Sequence, residues 1–186
     1  GEAGAGKSWV RRALMDRLLA CWRPVVAAVA PTHDAADFLS LILRGLGGES
    51  ASDRPAAQRI ALAQALEDDE LDGRRYALVV EDAHHASPEV WVEIEALCDG
   101  LDAPGGFGAL VLVGRTGLVR RLASRPLRGV AERLAKHVHL PPLDVEEAGR
   151  LLPGLGASAV ERLHRDAAGN PRRLLALAGA VETRRP

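Results

Sequence analysis

The chain has 186 residues, 47% hydrophobic and only 3% aromatic, enough to bury the core of one ordinary domain, or of one with a small appendage. Its 24 basic and 25 acidic residues leave a net charge of −1, which gives no global electrostatic case for nucleic acid or membrane. Cys21 and Cys98 have no metal or redox spacing, no signal peptide is visible, and no apolar run reaches the roughly 20 residues needed to span a bilayer, so a reducing, cytoplasmic compartment is the expectation.

The first stretch, GEAGAGKS from Gly1 to Ser8, fits G-x-x-x-x-G-K-[ST]. Glycines let backbone wrap phosphate without Cβ clashes. Successive N–H groups then point inward, and the helix that follows adds its positive end. The candidate nucleotide-binding residues are therefore Gly1, Glu2, Ala3, Gly4, Ala5, Gly6, Lys7 and Ser8. Lys7 is expected on the β/γ-phosphates of ATP, and the Ser8 hydroxyl on Mg²⁺. A phosphate loop is ordinarily launched from a hydrophobic strand. None precedes Gly1 and there is no initiator Met, so the expectation is a partial sequence lacking a central strand.

Residues 9–22 read as a helix, with Val10, Leu14, Leu18 and Cys21 on one face. Val25–Ala30 is a continuous apolar run, as in a strand covered on both faces. Asp34 is a candidate N-cap for a helix from Phe38 to Leu46, which stops at Gly47-Gly48. Residues 57–70 are helical, with Ile60, Leu62, Ala63 and Leu66 apolar. Tyr76–Val80 is a second buried strand and ends in Glu81-Asp82. Pro88–Leu101 is a helix, Ala109–Val113 a third strand, 118–134 an Arg-rich helix, and His137–Leu140 a short fourth strand. Strands alternating with helices predict an α/β fold, a parallel sheet with helices on both faces. After Pro141-Pro142 the texture changes to three helices, 144–152, 158–168 and 171–182. The predicted domains are thus 1–140, nucleotide-binding, and 141–186, a helical lid.

The stretch YALVVEDAHH puts two carboxylates at the end of a buried strand, where a phosphate-loop ATPase needs them. One holds Mg²⁺ and its neighbour polarises the water that attacks the γ-phosphate. The usual order is Asp then Glu. By position, Glu81 is the Mg²⁺ ligand and Asp82 the general base, with slowed hydrolysis expected because Asp is one methylene shorter. His84 and His85 are either loop histidines beside a charged site or a link from nucleotide state to a neighbour. They lack metal-ligand spacing.

With GEAGAGKS, RRYALVVEDAHHAS, GALVLVGRTGL, RPLRGVAERLAKHVHLPPLDVEEAGRLL and AAGNPRRLLALA in hand, the whole chain resembles an AAA+ ATPase. More narrowly, it resembles the ATPase modules of the general secretion pathway protein A family and of related transposition ATP-binding proteins. That resemblance implies a P-loop NTPase sheet with a helical lid. It puts Arg115 at the sensor-1 position, where Arg departs from the usual small polar residue or Gln and Thr116 is the substitute. It puts Arg133 at the arginine finger that reaches a neighbouring subunit, with Arg125 and Arg128 as competitors. It puts Arg172, in GNPRR, at the sensor-2 position on the nucleotide.

The resemblance implies a homo-oligomeric ATPase that uses MgATP to assemble or remodel a protein partner, in secretion or envelope biogenesis. The alternatives are a nucleotide-dependent signalling switch with weak hydrolysis and a transposition-associated ATPase that binds DNA. The arginines of 115–133 give the last a weak basic stripe, offset by the acidic stretch EDDELD.

Overall fold

A computed structural model of the chain describes residues 1–18, 22–48, 52–101 and 103–182. Contacts divide it into two compact units, Arg12–His137 and a second made of Gly1–Arg11 with Val138–Pro186.

The first unit is built on three parallel strands, β1 (Arg23–Ala28), β2 (Tyr76–Glu81) and β3 (Ala109–Leu112), in the order β1-β2-β3. Val26 lies level with Val79, and Val79 with Val111. Successive side chains of a strand point to opposite faces, so the burial of every residue from Tyr76 to Val80 shows that both faces of β2 are covered. Pro24 has no N–H to give a ladder. It is accommodated in β1, which has a described strand on one side only.

The helices of this unit are α2 (Ala35–Gly45), α3 (Pro55–Leu71), α4 (Pro88–Asp99), α5 (Gly117–Leu122) and α6 (Arg128–Glu132). The helix α1 (Lys7–Leu18) follows the phosphate loop, and the division between the units falls within it, after Arg11. Local chemistry sets the starts. Asp34 and Asp37 form a reciprocal capping box on α2. Ser87 caps Val90 on α4, whose first position is Pro88. Phe38, Ile42, Leu78, Val80, Val90, Ile94 and Phe107 form the centre of the core. Each such side chain contributes about 1.5–3 kcal/mol by leaving water.

Several expectations are corrected. The Arg-rich stretch 118–134 is not one helix. It breaks into α5, a single 3-10 turn at Arg125–Leu127, and α6. Pro126 has no N–H for the carbonyl one turn back and its ring would clash with it, so the helix stops and the chain turns extended at Ser124, with ψ 150°. Residues 137–140 form no strand, although HVHL alternates. A strand exists only through its ladder, and these residues pair with no described strand. On α1, Val10 is exposed rather than facing a core, while the side chain of Leu18, and Cys21, lie outside the described residues. On α3, Ile60 is exposed and Gln58 is buried instead, its Nε2 donating to Ser40 Oγ at 2.8 Å.

The second unit carries α7 (Val145–Leu151), α8 (Ala157–Ala167) and α9 (Pro171–Glu182) around Ala148, Val160, Leu163, Ala167 and Leu174. Asp144 and Glu147 cap α7 reciprocally. Ala168 and Gly169, both left-handed at φ 51° and 67°, end α8 and turn the chain into α9. Among the described residues no helix is long and apolar enough to cross a membrane.

Candidate nucleotide site

The phosphate loop lies in the second unit. Gly4 and Gly6 have φ of 82° and 87°, in the region L side chains avoid. Nothing lies within 4 Å of a Cβ built on Gly6, so that side of the loop is open space of the kind a phosphate fills. At Gly4 a Cβ would fall 2.5 Å from Asn170 Oδ1, so only glycine fits. Lys7 is the first residue of α1 and folds back over the loop, its Nζ donating to Gly1 O at 3.1 Å and Glu2 O at 2.7 Å. A lysine ammonium gathering loop carbonyls is placed to exchange them for phosphate oxygens. Ser8, next on α1, is exposed. Ala5 N–H donates to Glu2 O at 3.2 Å and closes the turn. The loop leads directly into the N-terminus of α1, the end of a helix that takes an anion, where Trp9 and Val10 N–H donate to Gly6 O at 2.9 and 3.1 Å.

The same unit brings Arg172 to the loop. It is the second residue of α9, and its backbone N–H donates to Gly4 O at 3.3 Å. Its side chain is exposed, and its Cβ lies 3.0 Å from a Cβ built on Gly4.

In the first unit the acidic pair ends β2. Glu81 is half-buried, and its carbonyl accepts from Val29 N–H at 2.9 Å. Asp82 is left-handed, with φ 51° and ψ 34°, an uncommon state for a residue with a Cβ. This backbone turns the chain sharply and leaves the Asp82 side chain 57% exposed. One turn of 3-10 helix, Ala83–His85, follows. Its start is fixed to the end of β3 by Ala83 N–H donating to Val113 O at 3.0 Å. His84 and His85 stack with ring centres 4.0 Å apart, and His84 Nδ1 lies 3.9 Å from Asp82 Oδ1.

Arg121 is a residue that local sequence did not single out. From α5 it donates Nη1 to His84 O at 2.8 Å and Nη2 to Ala86 O at 2.5 Å, over the ring of buried Trp91 at 5.9 Å. A planar fork on two carbonyls at the end of a helical turn caps that turn. Only its place in the arginine-rich stretch 118–134 could have drawn attention to it.

Arg115 follows β3 and is exposed, so it emerges at the same C-terminal edge of the parallel strands as Glu81 and Asp82. Clefts outside those edges are where open α/β sheets place ligands. Thr116 is half-buried at the start of α5. Arg133 closes α6. It donates Nη1 to Gly129 O at 2.8 Å and pairs through Nη2 with Asp99. Arg128 pairs with Glu132, and Arg125 is exposed. Among the described residues, no group of three His, Cys, Asp or Glu could hold a metal ion.

Comparison with known proteins agrees with this architecture. General secretion pathway protein A of Aeromonas hydrophila is 27% identical over 191 aligned positions, spanning 92% of this chain and 34% of that protein. The chain thus spans about a third of the length of this relative. Two solved structures share the fold: Cdc6p of Pyrobaculum aerophilum, at TM-score 0.72 and 20% identity, and the ORC2 protein of Aeropyrum pernix in ADPNP-ADP complexes, at TM-score 0.68 and 16% identity. Each match covers 98% of this chain, with 54% of the first structure and 55% of the second. Residues 1–122, which hold the phosphate loop, all three strands and the acidic pair, match the family of AAA domains, and the chain belongs to that family.

Proposed function

We propose that the protein binds MgATP and hydrolyses it to drive assembly or remodelling of a partner. The observation that carries this reading is the phosphate loop, in which left-handed Gly4 and Gly6 shape an open cradle and Lys7 Nζ lies over it. Gly1 to Ser8 take the phosphates, and Arg172 contacts the nucleotide from α9. Ser8 and Glu81 would hold Mg²⁺, which would supply neutralisation of charge on the phosphate oxygens. A small hydroxyl and one carboxylate are hard oxygen donors, the kind that ion would take. Asp82 accepts the proton of a water that attacks the γ-phosphorus, while the bond from phosphorus to the β-bridging oxygen breaks. Arg115 stabilises the charge that develops, and Arg133 does so in trans once released from Asp99.

In this reading residues 1–140 are the nucleotide-binding domain and 141–186 the lid. The protein works as a homo-oligomer, in the cytoplasm. The name of the Aeromonas relative supports a role in secretion or envelope biogenesis.

A second reading, a nucleotide-dependent switch with slow turnover, is favoured by the Glu-Asp order and by the side chain of Asp82 being largely in solvent. A DNA-binding transposition helper is less favoured, since Arg128 and Arg133 of the basic stripe are neutralised by Glu132 and Asp99.

The test is MgATP binding and steady-state hydrolysis by the full-length gene product, with Lys7→Ala and Asp82→Asn beside it. Turnover lost in both variants supports the ATPase. Binding lost in Lys7→Ala with no wild-type turnover supports the switch. Absence of wild-type binding overturns both.

A further inference from the structure

The first turn of α9 is closed by two partners. Pro171 has no N–H. Arg172 N–H goes to Gly4 O at 3.3 Å, Arg173 N–H to Asn170 Oδ1 at 3.2 Å, and Leu174 N–H to Asn170 O at 2.9 Å. Asn170 is therefore the N-cap, through its side-chain oxygen. The other end of the same carboxamide, Nδ2, donates to Ala3 O at 2.7 Å. One side chain thus does two separable things. Its oxygen caps a helix and its amide grips the phosphate loop.

The surroundings aim it. Left-handed Ala168 and Gly169 precede it. Gly169 O accepts from Leu143 N–H at 2.8 Å, and His164 Nε2 is 2.7 Å from Leu143 O. A Cβ on Gly169 would meet Leu143 O at 2.6 Å, so the turn is held against the 142–143 segment and has little freedom. On the loop side, Gly4 admits no side chain against Asn170.

We propose that Asn170 is a positioning residue for the phosphate loop. By holding Ala3 O while it caps α9, it keeps the loop in its phosphate-accepting shape and sets the affinity for nucleotide. The proposal rests on the nucleotide reading of the loop. The side chain touches backbone, and it acts on phosphate only through the loop.

Asn and Asp cap helices about equally, and Ser nearly so, but neither Asp nor Ser replaces the amide. Asn170→Asp and Asn170→Ser therefore keep the cap and remove the grip, and Ser does so without adding charge near phosphate. The experiment measures the Kd of a fluorescent ATP analogue with Mg²⁺, and the Tm without nucleotide, for the full chain and both variants. The expected result is a Tm within about 3 °C of wild type and a Kd raised about tenfold in both, the scale of one lost charge-free hydrogen bond on a structured loop. Unchanged Kd in both variants, with wild type binding normally, overturns the role of Asn170 and leaves the nucleotide site standing. Weakening in the Asp variant alone overturns it too, because charge then suffices. A fall in Tm that accounts for the weakening also overturns it, because the cap is then what acts. A folded wild type that binds no nucleotide overturns the nucleotide reading itself, and this proposal with it.

Discussion

Arg59 on α3 holds Glu93 on α4 by two hydrogen bonds, Nε to Oε2 at 2.7 Å and Nη2 to Oε1. The two ends are unequal. The Glu93 side chain is 3% exposed and that of Arg59 50%. The bond to Glu93 is also the main cause that raises the Arg59 pKa above its ordinary value. Removing the arginine strands a buried carboxylate, whereas neutralising the carboxylate frees a guanidinium that water already reaches. Arg59→Ala is therefore expected to cost about 2–3 kcal/mol, after allowing for solvent on the arginine, and Glu93→Gln about 1 kcal/mol. Urea denaturation of both variants checks the order, and equal losses would contradict it.

Asp82 offers a separation of fold from chemistry. Its left-handed backbone suits Asn and Gly better than Ala. Asp82→Asn is expected to leave stability within about 0.5 kcal/mol of wild type while turnover falls a hundredfold or more. Asp82→Ala is expected to lose about 1 kcal/mol in addition. Thermal melts beside ATPase assays distinguish the two effects. A stable Asp82→Asn chain with full turnover removes Asp82 from the mechanism.

Arg121 braces the turn that carries the acidic pair. Arg121→Gln removes two charge-assisted hydrogen bonds to the carbonyls of His84 and Ala86. The expected cost is about 2 kcal/mol. Amide exchange should quicken at His85 and Ala86, whose N–H groups close the 3-10 turn on Asp82 and Ala83. Arg121→Lys, which keeps the charge but not the fork, should recover only part of the protection. Wild-type exchange in Arg121→Gln would show that the turn holds itself.

Burial pushes the Cys98 thiol up from 9.0 to about 11, with the positive charge of Arg133 pulling the other way. The thiol stays protonated in the fold at pH values where the unfolded chain ionises. Its contribution to stability is therefore complete below pH 9.0 and declines as pH rises toward about 11. With Cys21 replaced by serine, Cys98 should react with a disulfide reagent at pH 8 on the order of a hundredfold more slowly in the native state than in urea. Equal rates would mean that the site opens freely.

Much of this architecture was legible in the chain. The continuous apolar run of β2 announces a strand covered on both faces. Asp34 announces a helix start, because capping is a local matter of one short side chain and the next turn, and Ser87 and Asp144 cap α4 and α7 in the same way. The shape of GEAGAGKS follows from glycine alone. What escaped was what depends on distant partners. HVHL alternates as a strand should, yet a ladder needs a second strand, and periodicity does not report one. Arg121 bonds to carbonyls 37 and 35 positions away. Backbone carbonyls carry no sequence signal, so no pattern marks that clamp. Asn170 before Pro171 is readable as a cap, but its grip on Ala3 is not. Pro126 was in plain view, and the break it imposes on the Arg-rich helix follows from its missing N–H.

The bond between Ala3 and Asn170 joins positions 167 apart. Synthesis from the N-terminus makes the phosphate loop well before the residue that grips it. The strands and helices of residues 12–137 are made in between. That unit has its own core and can collapse while the loop still lacks its support. Loop closure over so long a span is slow as well as entropically costly, so the loop gains its support after that unit has its core. A nascent chain that has not yet reached α9 is therefore expected to have residues 12–137 in hand while its phosphate loop still lacks the Asn170 grip.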